Sequence, residues 1–184
     1  MRSSISLSAT VPITTTQDIL MAQYTSFAIS AQTITGTVSL VANQCNQDAS
    51  TNNCTLAVNI YVVSNDGATV RGVLFSVYGT GTNFSFASAN AKIVSLGTLT
   101  SQIAQEGDRI VVEMGVRTTA PTTAGSASLL LATTSINDSA LSTGAGLANS
   151  WVEFSQDIYA DTNLGNYGNY VRVGNGMSRS EMAN

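Results

Sequence analysis

EGDRIVVEMGVR, residues 106–117, is the stretch of this sequence that decides its fold class. Gly107 and Asp108 have the chemistry of a turn, because glycine adopts positive φ freely and aspartate can hydrogen-bond the backbone that follows it. After Arg109 two kinds of side chain alternate, and the apolar ones are Ile110, Val112, Met114 and Val116. A period of two places this apolar row on one face of a strand and a charged row on the other. The stretch therefore predicts a turn followed by a half-buried antiparallel strand.

Further strand signals occur in short segments that are rich in β-branched or aromatic residues and separated by turn residues. They are residues 26–30, 33–42, 56–64, 69–78, 93–100, 126–133 and 150–155. With residues 109–117 they predict an all-β fold, an antiparallel sandwich or barrel of about eight strands. Asn65-Asp66-Gly67 separates two of these segments, and Asp-Gly between apolar runs is the strongest short-range signal of a hairpin.

The composition is poor in charge. Only 10% of the 184 residues are charged and the formal net charge is −4, whereas ordinary soluble domains have about 25% charged residues. Lys92 is the single lysine, and helices usually draw on Lys, Glu, Arg and Leu, so the composition suits secreted or assembled β-proteins better than a diffusing cytosolic enzyme. The length fits one domain. Because no cluster of arginines occurs, we expect no nucleic-acid binding.

The first residues carry a strand pattern of their own. Apolar residues alternate with hydroxyl side chains and Pro12, which lacks the N–H that an inner strand needs; the apolar positions are Ile5, Leu7, Ala9, Val11 and Ile13. Two interpretations stay open: an edge strand of the same domain, or an arm that extends a sheet of a neighbouring subunit by β-augmentation. Residues 17–23 (QDILMAQ) then predict a short turn of helix that begins at Thr16 or Asp18.

The pattern divides the chain into an N-terminal arm (residues 1–23), a sandwich (24–158) and a tail (159–184) rich in Asn, Gly and Tyr. We expect no membrane span, because no apolar run of about 18 residues occurs, and no signal peptide, because the N-terminal hydrophobicity alternates. The tail cannot form its own core. It is either disordered or ordered by packing on a partner, and Tyr167 and Tyr170 are the side chains expected to contact that partner.

Cys45 and Cys54 lie on either side of a polar insert between two strand patterns, where a hairpin loop could bring them together. A disulfide is the favoured prediction, and free thiols are the alternative. A metal site is disfavoured, because the chain has no histidine and no Cys-x-x-Cys spacing.

The sequence offers little catalytic chemistry. The absence of histidine excludes Ser-His-Asp and Cys-His arrangements, and any Ser-Lys pair would need Lys92 as its base. Carboxylates could formally pair for glycoside cleavage, but charges on the outer face of a strand more often serve solvation; the candidates are Asp108, Glu113, Glu153 and Asp157. Glu106 and Asp108 could hold calcium at a loop, although the EF-hand spacing is absent. We therefore expect no enzyme, no metal and no cofactor.

Four segments follow one another along the chain: TGTVSL (residues 35–40), VVSNDGATVRGVL (62–74), EGDRIVVEMGVR (106–117) and SWVEFSQDI (150–158). Together they resemble a family of jelly-roll proteins encoded by tailed bacteriophages. The resemblance covers residues 32–158 and implies a sandwich of jelly-roll type and a virion structural protein, on the capsid surface or the tail. It carries over no active site. The insert between Cys45 and Cys54 and the Asn/Gly/Tyr tail depart from the family's pattern.

Two main functions follow as hypotheses. The first is a capsid decoration or cement protein, made in the host cytoplasm and held on the virion by extended arms; its partners would be the major capsid protein or tail proteins. By resemblance we expect a homo-oligomer, with a trimer favoured. The second is a tail or fibre module that binds host glycan through aromatic side chains; the candidates are Tyr61, Tyr78, Phe84, Phe86, Trp151, Tyr167 and Tyr170. A small hydrolase is the least favoured alternative.

Overall fold

The computed structural model describes residues 5–11, 16–42, 44–47, 55–78, 92–118, 125–132 and 151–161. These residues contain β-strands and no helix, so no helix long and apolar enough to cross a membrane occurs among them. The strands are β1 (Ile5–Val11), β2 (Asp18–Thr25), β3 (Gln32–Ile34), β4 (Thr37–Ala42), β5 (Gln44–Gln47), β6 (Thr55–Val63), β7 (Val70–Tyr78), β8 (Lys92–Thr98), β9 (Gln102–Ala104), β10 (Arg109–Arg117), β11 (Gly125–Ala132) and β12 (Trp151–Phe154).

The described strands form four sheets in which every pairing is antiparallel. The main sheet has the order β2-β10-β6-β7, and the facing sheet has the order β12-β4-β8. A side sheet, β1-β11-β5, and the pair β3-β9 complete the arrangement. The prediction of an all-β, antiparallel β-sandwich is therefore confirmed.

The core lies between the main and facing sheets, because the two central strands of the main sheet turn their apolar rows inward. β10 buries the predicted row at positions 110, 112, 114 and 116. Burying each such side chain contributes roughly 1.5–3 kcal/mol relative to exposure. The same apolar cluster contains residues from β6 and from the facing sheet, namely Leu56, Val58, Ile60, Val62, Val38, Leu40, Leu96 and Phe154.

The predicted hairpin joins β6 to β7 at Asn65-Asp66-Gly67. Gly67 has a φ of 74°, and its N–H donates to the backbone oxygen of Ser64 at 2.8 Å. Asp66 Oδ1 accepts the Ser64 hydroxyl at 2.6 Å and the Ala68 N–H at 3.0 Å. These bonds lower the pKa of Asp66, and they hold the turn in the conformation that the sequence predicts.

The prediction of a helical turn at residues 17–23 is wrong. β2 (Asp18–Thr25) covers most of this segment and pairs with β10 along its length. Ile19, Met21 and Ala22 pack against the core from this strand. A helix of two turns is marginal by itself, so burial and ladder hydrogen bonds decide the conformation.

The predicted single strand 33–42 is instead divided into β3 and β4. Gly36 lies between them with a φ of 91°, which a continuous strand does not allow. The Ser155 side chain occupies the space that a β-carbon at position 36 would need. The predicted strand 26–30 is reduced to a single bridge between Ile29 and Ala160.

β1 pairs with β11 of the same chain, from Ile5 opposite Ala132 to Val11 opposite Gly125. It lies at the edge of the side sheet. Within the described chain, the first interpretation of the N-terminal segment, an edge strand of the same domain, is the one that applies. Pairing of its outer edge with a neighbouring subunit stays a prediction.

Candidate functional site

The β6–β7 hairpin and the turn before β10 meet at an ion pair whose carboxylate is buried and whose arginine is partly exposed. Arg71 Nε lies 3.3 Å from Asp108 Oδ1, and the Asp108 side chain is 2% exposed. The second carboxylate oxygen accepts the Gln105 N–H at 2.8 Å. Arg109 donates from Nε to the backbone oxygen and to Oδ1 of Asn65, at 3.1 and 3.0 Å. Two of the four segments that carry the family resemblance are thus joined by their charged residues.

The other two segments meet at the start of β4. Gln156 Oε1 accepts the Thr35 N–H at 2.8 Å, and its Nε2 donates to the backbone oxygen of Thr33 at 2.7 Å. Ser155 Oγ accepts the Thr37 N–H at 2.8 Å. These side chains satisfy backbone groups where the ladder is interrupted. The segments therefore hold the architecture together.

The outer face of the main sheet carries polar residues in a cross-strand row of Gln23, Glu113, Asn59 and Ser76. Glu113 accepts the Gln23 amide on Oε1 at 3.0 Å and the Tyr61 hydroxyl on Oε2 at 2.7 Å. Ser76 donates to Asn59 Oδ1 at 2.6 Å. Burial, followed by the bond to Glu113 and its charge, raises the pKa of Tyr61 well above its usual value. Tyr61 is therefore a fixed donor to Glu113.

A second polar group lies at the other end of this face. Arg117 donates from Nε and Nη2 to the two carboxylate oxygens of Asp18, at 2.8 and 2.9 Å. Its guanidinium carbon lies 5.3 Å from the centroid of the Tyr78 ring. The Tyr78 hydroxyl in turn accepts Asn59 Nδ2 at 3.2 Å. An exposed pair of this kind contributes little to stability, but it fixes the orientation of the tyrosine.

A depression of about 200 Å³ lies between these two polar groups. Gly115 and Ala57 are paired neighbours on the central strands, while Leu20 and Tyr78 complete the same cross-strand row on the outer strands. The middle of the row has almost no side-chain volume and its ends are large, so the sheet surface is hollow there. Polar lining is provided by Asp18, Asn59 and Glu113.

Gly115 is required at this place. A β-carbon there would collide with the backbone oxygen of Ile19 on β2. The register between β10 and β2 also shifts between Met114 and Gly115. A glycine inside a strand pattern often marks a bulge or a close backbone approach, and here both occur. Gly115 is thus the sequence signal of the depression, which the alternation of apolar residues alone does not reveal.

The carboxylates considered for glycoside cleavage are distributed over different parts of the fold. Asp108 belongs to the ion pair with Arg71, and Glu113 lies on the outer face of the main sheet. Glu153 lies on β12 of the facing sheet, and Asp157 follows that strand. Among the described residues, no three His, Cys, Asp or Glu side chains are grouped as metal ligands.

Several predicted residues fall outside the described part of the chain: Ile13, Cys54, Phe84, Phe86, Tyr167 and Tyr170. Cys45 lies on β5 opposite Leu129 of β11, and its disulfide with Cys54 stays a prediction. The backbone of Trp151 begins β12 opposite Val41. Ile5, Leu7 and Val11 lie on β1, as described above. Of the aromatic candidates, Tyr61 and Tyr78 share the outer face of the main sheet.

Comparison with known sequences finds no match, whereas comparison with solved structures finds weak similarities. No family model matches the sequence, and no curated protein matches it. A chain in the structure of infectious bursal disease virus Gx strain is similar with a TM-score of 0.43 and 13% sequence identity. The match covers 70% of this chain and 28% of that chain, so this chain spans less than a third of its length.

Proposed function

We propose that this chain is a structural protein of a virus particle, and within that class a non-enzymatic capsid decoration or cement protein. In this proposal the outer edge of β1 pairs with a strand of a neighbouring subunit or capsid protein. The observation that carries the proposal is the place of β1 at the edge of the side sheet. The resemblance of the four segments to jelly-roll proteins of tailed bacteriophages supports the same class, and a homotrimer is the expected oligomer.

β1 is better suited to such pairing than the two edge strands of the main sheet, β2 and β7. Its register with β11 shifts once, at the strand end between Ile5 and Ser6, and is uninterrupted over the six residues from Ser6 to Val11. By contrast, the pairing of β2 has one register shift and that of β7 has two, and Gln102 Nε2 also covers the edge of β7 by donating to the backbone oxygen of Val73 at 3.2 Å. Bulges and covering side chains are devices that block edge-to-edge association. β1 lacks an internal bulge over six residues, so its edge can accept a regular strand.

Backbone hydrogen bonds at the outer edge of β1 would supply free energy for attachment. Alternate residues of an edge strand point their N–H and C=O groups away from the sheet. A strand of this length could form about three or four additional hydrogen bonds, each with a net contribution of about 0.5–1.5 kcal/mol. This is enough to attach a subunit when the contact is repeated over a symmetric shell.

Two neighbouring proline variants test the proposal. Successive N–H groups of β1 point to opposite sides, so one of Ser8→Pro and Ala9→Pro removes an N–H bonded to β11 and the other removes one at the outer edge, with which no described strand pairs. We expect one variant to melt at a lower temperature. The other should melt close to wild type yet fail to bind virus particles that lack the protein. Normal particle binding by both variants would contradict the attachment through β1.

Glycan binding by a tail or fibre module is the second candidate. Tyr78 is 38% exposed beside the depression, with Asn59 and Glu113 nearby, and exposed aromatic rings beside amide and carboxylate groups suit sugar binding. A glycan array with wild type and Tyr78→Ala tests this function. Binding that depends on Tyr78, together with a low copy number in the particle, would favour the tail module over the decoration protein.

A further inference from the structure

We infer that the depression on the outer face of the main sheet is a receptor for one lysine or arginine side chain of a protein partner. The depression is the space between Leu20, Gly115, Ala57 and Tyr78 with Glu113 at its rim. The identity of the partner as a virion protein rests on the proposed function. The chemistry of the occupant rests on the site itself.

The first argument is the charge at the rim. The Asp18 carboxylate is balanced, because both of its oxygens accept from Arg117. Glu113 accepts only the neutral groups of Gln23 and Tyr61, and no lysine or arginine among the described residues is within ion-pair distance of it. Within the described part of the chain, the rim therefore carries one negative charge without a cationic partner.

The second argument is the remaining capacity of Glu113. A carboxylate offers about four acceptor positions, and the two described bonds use one on each oxygen. The Tyr61 hydroxyl, which is protonated at neutral pH, donates to Oε2 at 2.7 Å. Glu113 is thus held in place by two donors while it can still accept from a third, and the pre-set geometry lowers the entropic cost of binding.

The third argument is the shape and polarity of the hollow. Gly115 and Ala57 form a floor without polar side-chain atoms, and Leu20 and Tyr78 form its ends. Lysine and arginine have long apolar stems and a charged head, and they bury the stem while the head stays at a polar rim. A sugar, the ligand of the second candidate function, would supply hydroxyl donors but no positive charge, and an apolar side chain would leave the free acceptor positions of Glu113 unused. A basic side chain would pack its apolar stem on the floor and place its charged head next to Glu113 at the rim.

Titration of the labelled full chain with small probes tests the site. The probes are Nα-acetyl-lysine methylamide and Nα-acetyl-arginine methylamide, and the control is the citrulline analogue, which has nearly the shape of arginine but no charge. We expect saturable shifts of the Gly115, Ala57 and Leu20 amide resonances with the cationic probes. Citrulline should bind at least several-fold more weakly. Equal responses to citrulline, no saturable shift, or a response to monosaccharides alone would overturn the inference.

Two matched variants separate charge from fold. Glu113→Gln keeps an acceptor for Tyr61 and removes the charge. We expect it to lower the affinity for the cationic probes by about tenfold or more, since a hydrogen bond to a charged group is lost. Glu153→Gln makes the same change on β12 and should leave probe binding unchanged. Melting curves show whether each variant is folded. Wild-type affinity of folded Glu113→Gln for the probes would refute the site.

The same variants, added to particles that lack the protein, distinguish this inference from the proposed function. If the wild type binds particles and Glu113→Gln binds equally well, the partner contact is refuted and the virion role survives. If the wild type does not bind particles, the virion role fails, and with it the virion partner. The probe titration still decides whether the depression receives a basic side chain.

Discussion

Arg71 and Asp108 form an ion pair across 37 positions of sequence, with 3.3 Å between Nε and Oδ1. Arg71 lies on β7 and is partly exposed, whereas the Asp108 side chain is 2% exposed. The pair fixes the β6–β7 hairpin against the turn that precedes β10. Arg71 and Asp108, which stand out in the sequence motifs, thus stabilise the fold. The carboxylate with unused acceptor positions, that of Glu113, lies on the outer face of the main sheet.

Arg71→Ala should destabilise the chain by about 2–3 kcal/mol, because it leaves a buried carboxylate without its cation. Arg117→Ala is the matched control, since its ion pair with Asp18 is 38% exposed on both sides and should contribute about 0–1 kcal/mol. Urea unfolding measures both values. Equal losses for the two variants would show that burial of Asp108 does not set the strength of its pair.

Gly115→Ala should cost about 2–4 kcal/mol, because the new β-carbon meets the backbone of β2 and that strand must shift. At position 67 an added β-carbon would lie in open space, and only the φ of 74° disfavours alanine there. Gly67→Ala should therefore cost about 1–2 kcal/mol. The comparison separates steric collision from backbone strain. The prediction fails if the variant at position 115 unfolds at the same urea concentration as the variant at position 67.

The Tyr61 hydroxyl should make stability depend on pH in the alkaline range. Its folded-state pKa is raised, whereas an unfolded tyrosine titrates near about pH 10. The folded state therefore keeps a proton that the unfolded state releases. The stabilising contribution is complete below about pH 10 and is lost as the pH rises through the folded-state pKa.

Tyr61→Phe should consequently show a smaller decrease in unfolding free energy above about pH 10 than wild type does. The matched control is Tyr159→Phe, because Tyr159 is 63% exposed. Urea unfolding at a series of pH values gives the slopes. Identical slopes for wild type and Tyr61→Phe would contradict the assignment.

Cys45 and Cys54 are predicted to be paired in the assembled particle and to stabilise the loop between them. In the chain-entropy model a short loop of this kind contributes on the order of 2–3 kcal/mol. Intact mass after alkylation, with and without prior reduction, measures the free thiols. Two alkylated cysteines in unreduced particles would rule the disulfide out.

The local pattern was sufficient for much of the fold. Alternation of Ile110, Val112, Met114 and Val116 predicts which face of β10 points into the core, because side chains of a strand alternate whatever its partners are. The prediction of a half-buried strand is wrong, since Val111 and Gly115 on the other face are also buried. Asp66-Gly67 predicts the hairpin, because the turn is closed by bonds within five residues, from Ser64 to Ala68. Both features depend on neighbours in the chain, so the sequence by itself determined them.

Only the tertiary structure decided the remainder. β2 was predicted as a helical turn, since its strand conformation depends on pairing with β10, far along the chain. The depression requires Leu20, Ala57, Tyr78 and Gly115 to lie in one row across four strands. A shift of one residue in any of the three pairings would turn one of these side chains to the opposite face. The register between distant strands is fixed by burial of the whole core, so no local segment contains the information that forms this site.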